Sequence, residues 1–293
     1  MAQQRFLTIA DQRAATPGLR WLTLRSPELA RSVRPGQYLL VRCAEAGSYD
    51  PLLRRPLFVA AAEPALGQIG LLYEPSERGL AWLSRGRAGD ALDVLGPFGQ
   101  PLALDGRTRN LLLIGFGPGL AALLLLAREA AARSCAVTLL AGAAIADLLP
   151  PPFLLPGEVE YQTTVGPATD LLASQSPLAS SERDKETRGR GDKEKRKRDA
   201  VSLSPPPPVS LSPITWADQI CAALPGDQLS VLASAIRTVK YRWERGFASA
   251  LLEGPLICGV GACGACAVEL RRGTRMLCSD GPAFDLRDIA RDA

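Results

Sequence analysis

Four cysteines near the end of the chain carry the most specific chemistry in the sequence. Cys258, Cys263 and Cys266 form a C-x4-C-x2-C run, and Cys278 follows after eleven intervening residues. Thiolates at this spacing hold a plant-type [2Fe–2S] cluster. Gly259, Gly261 and Gly264 interleave the thiols. A loop that wraps a cluster must turn sharply and aim backbone N–H groups at sulfur, and glycine permits both. Such N–H contacts favour the reduced, more negative state and so raise its potential. Structural zinc is a rival use of four cysteines, but it favours two separated C-x2-C pairs. Disulfides are a further rival, weakened by three thiols crowding into nine residues and by a start, Met1–Arg5, that reads as no secretory signal.

Two other stretches could do chemistry. Arg54 and Arg55 precede Pro56, Leu57 and Phe58 at the entry to a strand. One reading is a solvated strand edge. The other is an arginine aimed at a phosphate, beside strand backbone free to hydrogen-bond a ring system. Gly115, Gly117 and Gly119 lie between an apolar run, Asn110–Ile114, and an Ala- and Leu-rich helical run, Leu120–Ala132. Strand, glycine turn and helix open a nucleotide-binding βαβ unit, although G-x-G-x-G is less specific than the full Rossmann fingerprint. The chain has no histidine. That excludes a Rieske centre, a His-ligated metal and an imidazole base.

The elements that must position these residues fall into two blocks. The first hundred residues predict short strands at Arg5–Ile9, Arg20–Leu24, Gln37–Arg42, Leu57–Ala61, Ile69–Glu74 and Ala91–Leu95, with one helix over Ser76–Arg85. Their spacing and turn signals suggest a small antiparallel barrel, closed by a tight turn at Gly96–Gly99. After Asp105 the pattern alternates. Asn110–Ile114, Ala136–Ala141 and Val159–Val165 read as strands, and strand- and helix-like segments resume at Ala217–Ala223 and Asp227–Thr238. Alternation of this kind points to an α/β domain with a parallel sheet.

The 293 residues allow two domains and a small third. Three are expected: a barrel over 1–104, an α/β domain over 105–248 and a cluster domain over 249–293. Between about 173 and 213 the composition collapses into Ser, Pro, Lys, Arg and Glu, which predicts a disordered insert within the α/β domain. Glu182–Asp199 alone holds nine Lys or Arg and six Asp or Glu, so most of the formal charge of +4 resides there. A basic tract can bind nucleic acid, but this one is studded with acids and has no aromatic residue. A solvated insert, with no nucleic-acid partner, is the expectation. The most apolar run, Leu111–Ala127, is 17 residues long and broken by glycine and proline, so no membrane span is expected. Seven cysteines without an export signal suggest the cytoplasm.

Barrel, nucleotide domain and terminal C-x4-C-x2-C…C segment together resemble the ferredoxin–NADP reductase superfamily. Within it they look like the electron-transfer subunits of heteromeric, NAD-linked dihydroorotate dehydrogenases. The resemblance implies FAD on Arg55, Pro56, Leu57 and Phe58, where the family has Arg-Pro-Leu/Ile-Ser. It also implies flavin contacts from Leu72, Tyr73 and Glu74 and from Gly79-Leu80, which match a Gly-Thr pair. It puts NAD at Gly115, Gly117 and Gly119, and the [2Fe–2S] cluster on Cys258, Cys263, Cys266 and Cys278. The segment from Ala250 to Cys263 and Cys278–Pro282 resemble the family's cluster loop. Phe58 and Leu80 depart from the family's hydroxyls, each loss removing a bond worth roughly 0.5–1.5 kcal/mol. A Cys-Gly-Pro turn near the nicotinamide is approximated only by Cys221–Pro225.

The function implied is electron transfer between a catalytic dihydroorotate dehydrogenase subunit, in a heterotetramer, and NAD, with the dihydroorotate site on the partner. A diaphorase-like subunit of another complex, such as a sulfide dehydrogenase or a bifurcating transhydrogenase, and a flavin-free cluster scaffold stay open. Deleting Glu182–Asp199 is expected to leave flavin and cluster absorption unchanged, because the segment is too polar to be core. Loss of both chromophores on deletion would show that the α/β elements are misplaced.

Overall fold

Apolar–polar alternation in the first hundred residues closes into a barrel in this computed structural model, which describes residues 3–45, 47–174, 213–240 and 242–289. Its strands are β1 (Gln3–Ala14), β2 (Arg20–Arg25), β3 (Tyr38–Val41), β4 (Arg55–Glu63), β5 (Gln68–Tyr73) and β6 (Ala91–Phe98). They pair antiparallel in the closed order β1-β2-β5-β4-β3-β6. Alternate residues point inward, so Leu22, Leu24, Leu39, Val41, Val59 and Leu71 form one core. Trp21, Ala60 and Leu72 face outward and are buried against the second block.

Two short helices link the strands. α1 (Pro27–Ser32) is absent from the sequence reading, although Ser26, Pro27 and Glu28 give the start signals of a helix, and the Ser26 hydroxyl accepts from the Leu29 amide. α2 (Arg78–Leu83) is shorter than the expected 76–85 and is capped by Glu77. Gly96–Phe98, expected as a tight turn, is instead the end of β6. Gly96 pairs with Gln3 and Phe98 with Tyr38, so the flanking strands on both sides take this stretch into the barrel. The turn follows at Gly99, with φ +86°.

The second block is a mixed sheet. β7 (Asn110–Phe116), β8 (Ala136–Ala143), β9 (Glu160–Val165), β10 (Gln219–Ala223) and β11 (Ala248–Leu251) are parallel neighbours. A hairpin, β12 (Ala267–Leu270) and β13 (Gly273–Met276), stands apart, and β14 (Ala283–Asp285) returns to pair antiparallel with β11. The order is β14-β11-β10-β7-β8-β9. Successive β7 residues alternate faces: Leu111 and Leu113 pack under α3 (Leu120–Ala132), Leu112 and Ile114 under α6 (Gly226–Val239). The ends of the expected insert fall in α4 (Asp170–Ser174) and α5 (Pro213–Trp216), and the rest lies outside the described residues.

The α/β sheet reaches past the expected boundary at 248/249, because β11 and β14 are both members of it. Residues 252–282 are therefore an excursion from one sheet edge. α3 is the shared wall between the blocks, packed against the sheet on one side and against Ala60, Ala61 and Leu72 of the barrel on the other. Leu123→Ala, at a fully buried α3 position, is expected to lower stability by about 2–5 kcal/mol in urea unfolding. A cost under about 1 kcal/mol would mean that this wall is loosely packed.

Candidate functional site

The cysteine segment begins where β11 ends. Gly259, Gly261 and Gly264 have φ of +75°, +75° and +70°, the left-handed region that the loop needs at each bend. A Cβ on Gly259 would also stand 2.6 Å from the Phe98 ring. The turns bring the Gly261 amide to 3.1 Å from Cys278 Sγ, and Cys278 Sγ to 3.3 Å from Cys266 Sγ. Cys258 sulfur instead accepts hydrogen bonds from Cys263, whose amide is the leading cause, with those of Val260 and Ala262, of a thiol drawn down to about 6. Burial is the leading cause that pushes Cys278 up to about 12.

The four thiols therefore stand as two pairs, Cys258 with Cys263 and Cys266 with Cys278. Among the described residues no three His, Cys, Asp or Glu groups gather round one ion position. Tetrahedral zinc needs four ligands about one point. A binuclear cluster takes two thiolates on each iron, which two pairs fit. The surroundings fit as well. Tyr38, Phe98, Leu256 and Leu277 pack with Cys266 and Cys278. The Tyr38 hydroxyl is buried with no hydrogen-bond partner among the described residues, a donor suited to sulfur. Gln100 ties the barrel to the segment, its amide 2.6 Å from the Gly281 carbonyl and its side chain 2.9 Å from the Ser279 carbonyl.

Beside this segment, between barrel and sheet, lies a cavity of about 690 Å³. The structure brings most of the residues singled out in the sequence to its walls. Arg55, Pro56, Leu57 and Phe58 open β4 on one side. Leu72 and Tyr73 close β5, with Glu74 next, and Leu80 comes from α2. Gly117 and Gly119 face them across the opening. The Phe58 ring meets the Tyr38 ring edge-on, with centroids 5.9 Å apart, so the cavity wall and the cysteine packing are continuous. Tyr73 packs its side chain in the barrel core, so at this wall the strand around Leu72–Glu74 offers backbone that suits a polar, planar ligand. Gly117 has φ +69°, and no side chain caps α3, whose first amides suit an anion.

Gly79 and Gly115 serve behind the wall. A Cβ on Gly79 would come within 3.2 Å of Arg55 Nε and Cys43 Cβ, and one on Gly115 within 2.4 Å of the Leu120 side chain. The expected place of Cys221 also changes. It is buried in mid-strand, 3.3 Å from the Ser249 hydroxyl, and burial pushes its thiol up to about 11. Ala223, at the carboxyl end of β10, lines the cavity instead. Arg54 points away, as strand alternation requires, and pairs with Asp93 at 2.7 Å. Arg55 departs from the expected free phosphate donor: its guanidinium pairs with Glu77 at 2.7 Å.

Sequence reasoning missed Glu77 and Glu253. Glu253 lines the cavity opposite Gly117, and its carboxyl is raised by burial. The available signal was an acid flanked by the apolar run Leu251-Leu252 and the turn Gly254-Pro255.

A closed barrel joined through one helix to a largely parallel sheet, with a four-cysteine excursion at the sheet edge, is the fold of the ferredoxin-reductase type with a cysteine segment added. Solved structures share this fold. The NADH-dependent reduced ferredoxin–NADP oxidoreductase matches with a TM-score of 0.68 at 22% identity, over 97% of this chain and 89% of that one. The ferredoxin reductase of carbazole 1,9a-dioxygenase matches at 0.55 and 17% identity, over 82% of this chain and 66% of that one. Residues 253–290 match the family model for the iron-sulfur cluster binding domain of dihydroorotate dehydrogenase B. The dihydroorotate dehydrogenase B (NAD(+)) electron transfer subunit of Shouchella clausii is 30% identical, over 97% of this chain and 96% of its own length. That of Geobacillus thermodenitrificans is 29% identical over 97% of each. The chain belongs to this family of electron transfer subunits.

Glu253 gives a test of the cavity's polarity. A raised carboxyl favours the protonated form in the folded state, so stability falls as pH rises from about 4 through the raised value. Glu253→Gln removes that titration. The variant is expected to melt above the wild type at pH 7, with the gap closing near pH 4. An equal gap at both pH values would contradict the assignment.

Proposed function

We propose that the chain carries electrons between a dihydroorotate dehydrogenase catalytic subunit and NAD, using FAD and a [2Fe–2S] cluster. The observation that carries this reading is the pairing of the four thiols in a segment whose start, Glu253, Gly254 and Leu256, lines the cavity between barrel and sheet. When bound, FAD supplies two-electron exchange with a nicotinamide and the cluster supplies one-electron exchange with a partner.

The chain's own residues bind, orient and insulate. Cys258 with Cys263, and Cys266 with Cys278, would hold the two irons, and the Gly261 amide donates to Cys278 sulfur. The backbone around Pro56–Phe58 and Leu72–Glu74 frames the flavin ring. Leu57, Leu80 and Leu256 keep that side of the cavity apolar and so exclude water. Gly117 and Gly119 let a dinucleotide phosphate approach the start of α3, and Ala223 leaves room where a bulkier side chain would fill the cavity. Gly115 keeps α3 close to the sheet. In this reading 1–104 serves the flavin, 105–248 the nucleotide and 249–293 the cluster, although the last two share a sheet. Dihydroorotate itself reacts on the partner.

Among the described residues no helix is long and apolar enough to cross a membrane. Reduced, closely spaced thiols suit a cytoplasmic setting. Membership in the family favours this reading over a subunit of another complex, and the cavity favours it over a flavin-free scaffold.

Anaerobic purification tests it. The chain is expected to carry about two irons and two acid-labile sulfides, and to support dihydroorotate-dependent NAD⁺ reduction when mixed with the catalytic subunit. Cys266→Ser and Cys278→Ser should lose iron, while Cys43→Ser, at a buried barrel position, should keep it. Stoichiometric zinc without sulfide would falsify the cluster assignment.

A further inference from the structure

Arg55 already holds an anion. Glu77 Oε1 accepts from Arg55 Nε at 2.8 Å and from the Leu80 amide at 2.8 Å. Its Oε2 accepts from Arg55 Nη2 at 2.7 Å and from the Gly79 amide at 3.1 Å. Arg55 Nη1 donates to the Leu53 carbonyl at 2.6 Å. All three guanidinium nitrogens are therefore engaged. One carboxylate gathers a planar cationic fork and two backbone amides, which is the donor set that suits a phosphate. The same bonds, led by those from Arg55, hold the Glu77 carboxyl down to about 2, so it is ionised at any working pH.

A phosphate and this carboxylate cannot share the fork. Glu77 holds the Nε–Nη2 edge, the side-on fork of the guanidinium, and leaves only one N–H each on Nη1 and Nη2; a phosphate seated there would meet the carboxylate's like charge close by. Neighbouring arginines offer no relief, since Arg54 is turned to Asp93 and Arg78 is paired with Asp50 at 2.7 Å. Glu77 does have a way out. Its side chain is 38% exposed, against 23% for Arg55, so the carboxylate can swing into water while the guanidinium stays at the cavity.

We propose that Glu77 is an internal stand-in for the flavin diphosphate on Arg55, and that FAD binds by exchanging one anion for the other. The inference rests on reading the cavity as the flavin site. It has two consequences. The flavin-free protein keeps its partly buried arginine paired and its β4–α2 junction ordered. FAD is held less tightly than Arg55 and the two amides would otherwise hold it, because each binding event must first break the Glu77 bonds.

The test is a fluorescence titration of flavin-stripped, cluster-containing protein with FAD and with riboflavin, which lacks phosphate. Glu77→Gln keeps the size and an acceptor oxygen but removes the charge. Glu77→Ser keeps a capping oxygen and covers the case in which Gln packs badly. Either variant, with wild-type cluster absorption and circular dichroism, is expected to bind FAD at least tenfold more tightly and riboflavin unchanged, and to melt somewhat below the wild type when flavin-free. FAD affinity that is equal or weaker in both folded variants overturns the proposal, since Glu77 would then be orienting Arg55 for the flavin. An equal gain for riboflavin also overturns it, because the effect would lie at the ring. A separate failure is recognisable: if the wild type, both variants and Arg55→Ala all bind no flavin, the flavin reading itself falls.

Discussion

The structure depends on holding a cysteine excursion by both ends. Residues 252–282 leave β11 and return as its neighbour β14, so the excursion starts and finishes on adjacent strands of one sheet. Its inner side is pressed on the barrel through Tyr38, Leu40 and Phe98. Each anchor would be weak alone, because a short edge strand and a glycine-rich loop carry little apolar surface. Together they fix the thiol pairs against a rigid face. That matters chemically, since backbone amides and burial set a cluster's potential only if they stay in place.

The same economy shapes the cavity. α3 is shared by the barrel and the sheet, and it lies close because Gly115 and Gly119 have no side chain where Leu120 and Ala223 pack. The cavity's floor and the cysteine packing meet at the Phe58–Tyr38 ring contact. Phe58 thus replaces a hydrogen-bonding hydroxyl, on the resemblance, with an aromatic wall. The polar end of the cavity is governed by charge. Arg55 is paired there with Glu77, across the junction of β4 and α2.

Much of this was legible in the sequence, for physical reasons that can be named. Strands that alternate, such as β6, and helices with clear breakers, such as α3, declare themselves by periodicity. The helix expected over Leu120–Ala132 has those bounds in the structure. Cysteine spacing is legible because ligation demands it. What was hidden depends on partners distant in the chain. Gly96–Phe98 reads as a turn but is held as strand by β1 and β3. β14 is three residues long and exists only because β11 is beside it. Cys221 and Ala223 differ by two positions in one strand, and only the sheet register decides which reaches the cavity. Arg55 was read as free because nothing local ties it to Glu77, 22 positions away.

The central claim is that flavin pocket and cluster form one electron path within this chain. Electron paramagnetic resonance of the isolated, anaerobic protein after addition of NADH tests it most directly. The account predicts a reduced [2Fe–2S] signal in protein loaded with FAD and none in flavin-stripped protein of equal iron content. A signal of the same size without flavin, or no signal with both groups bound, would contradict it.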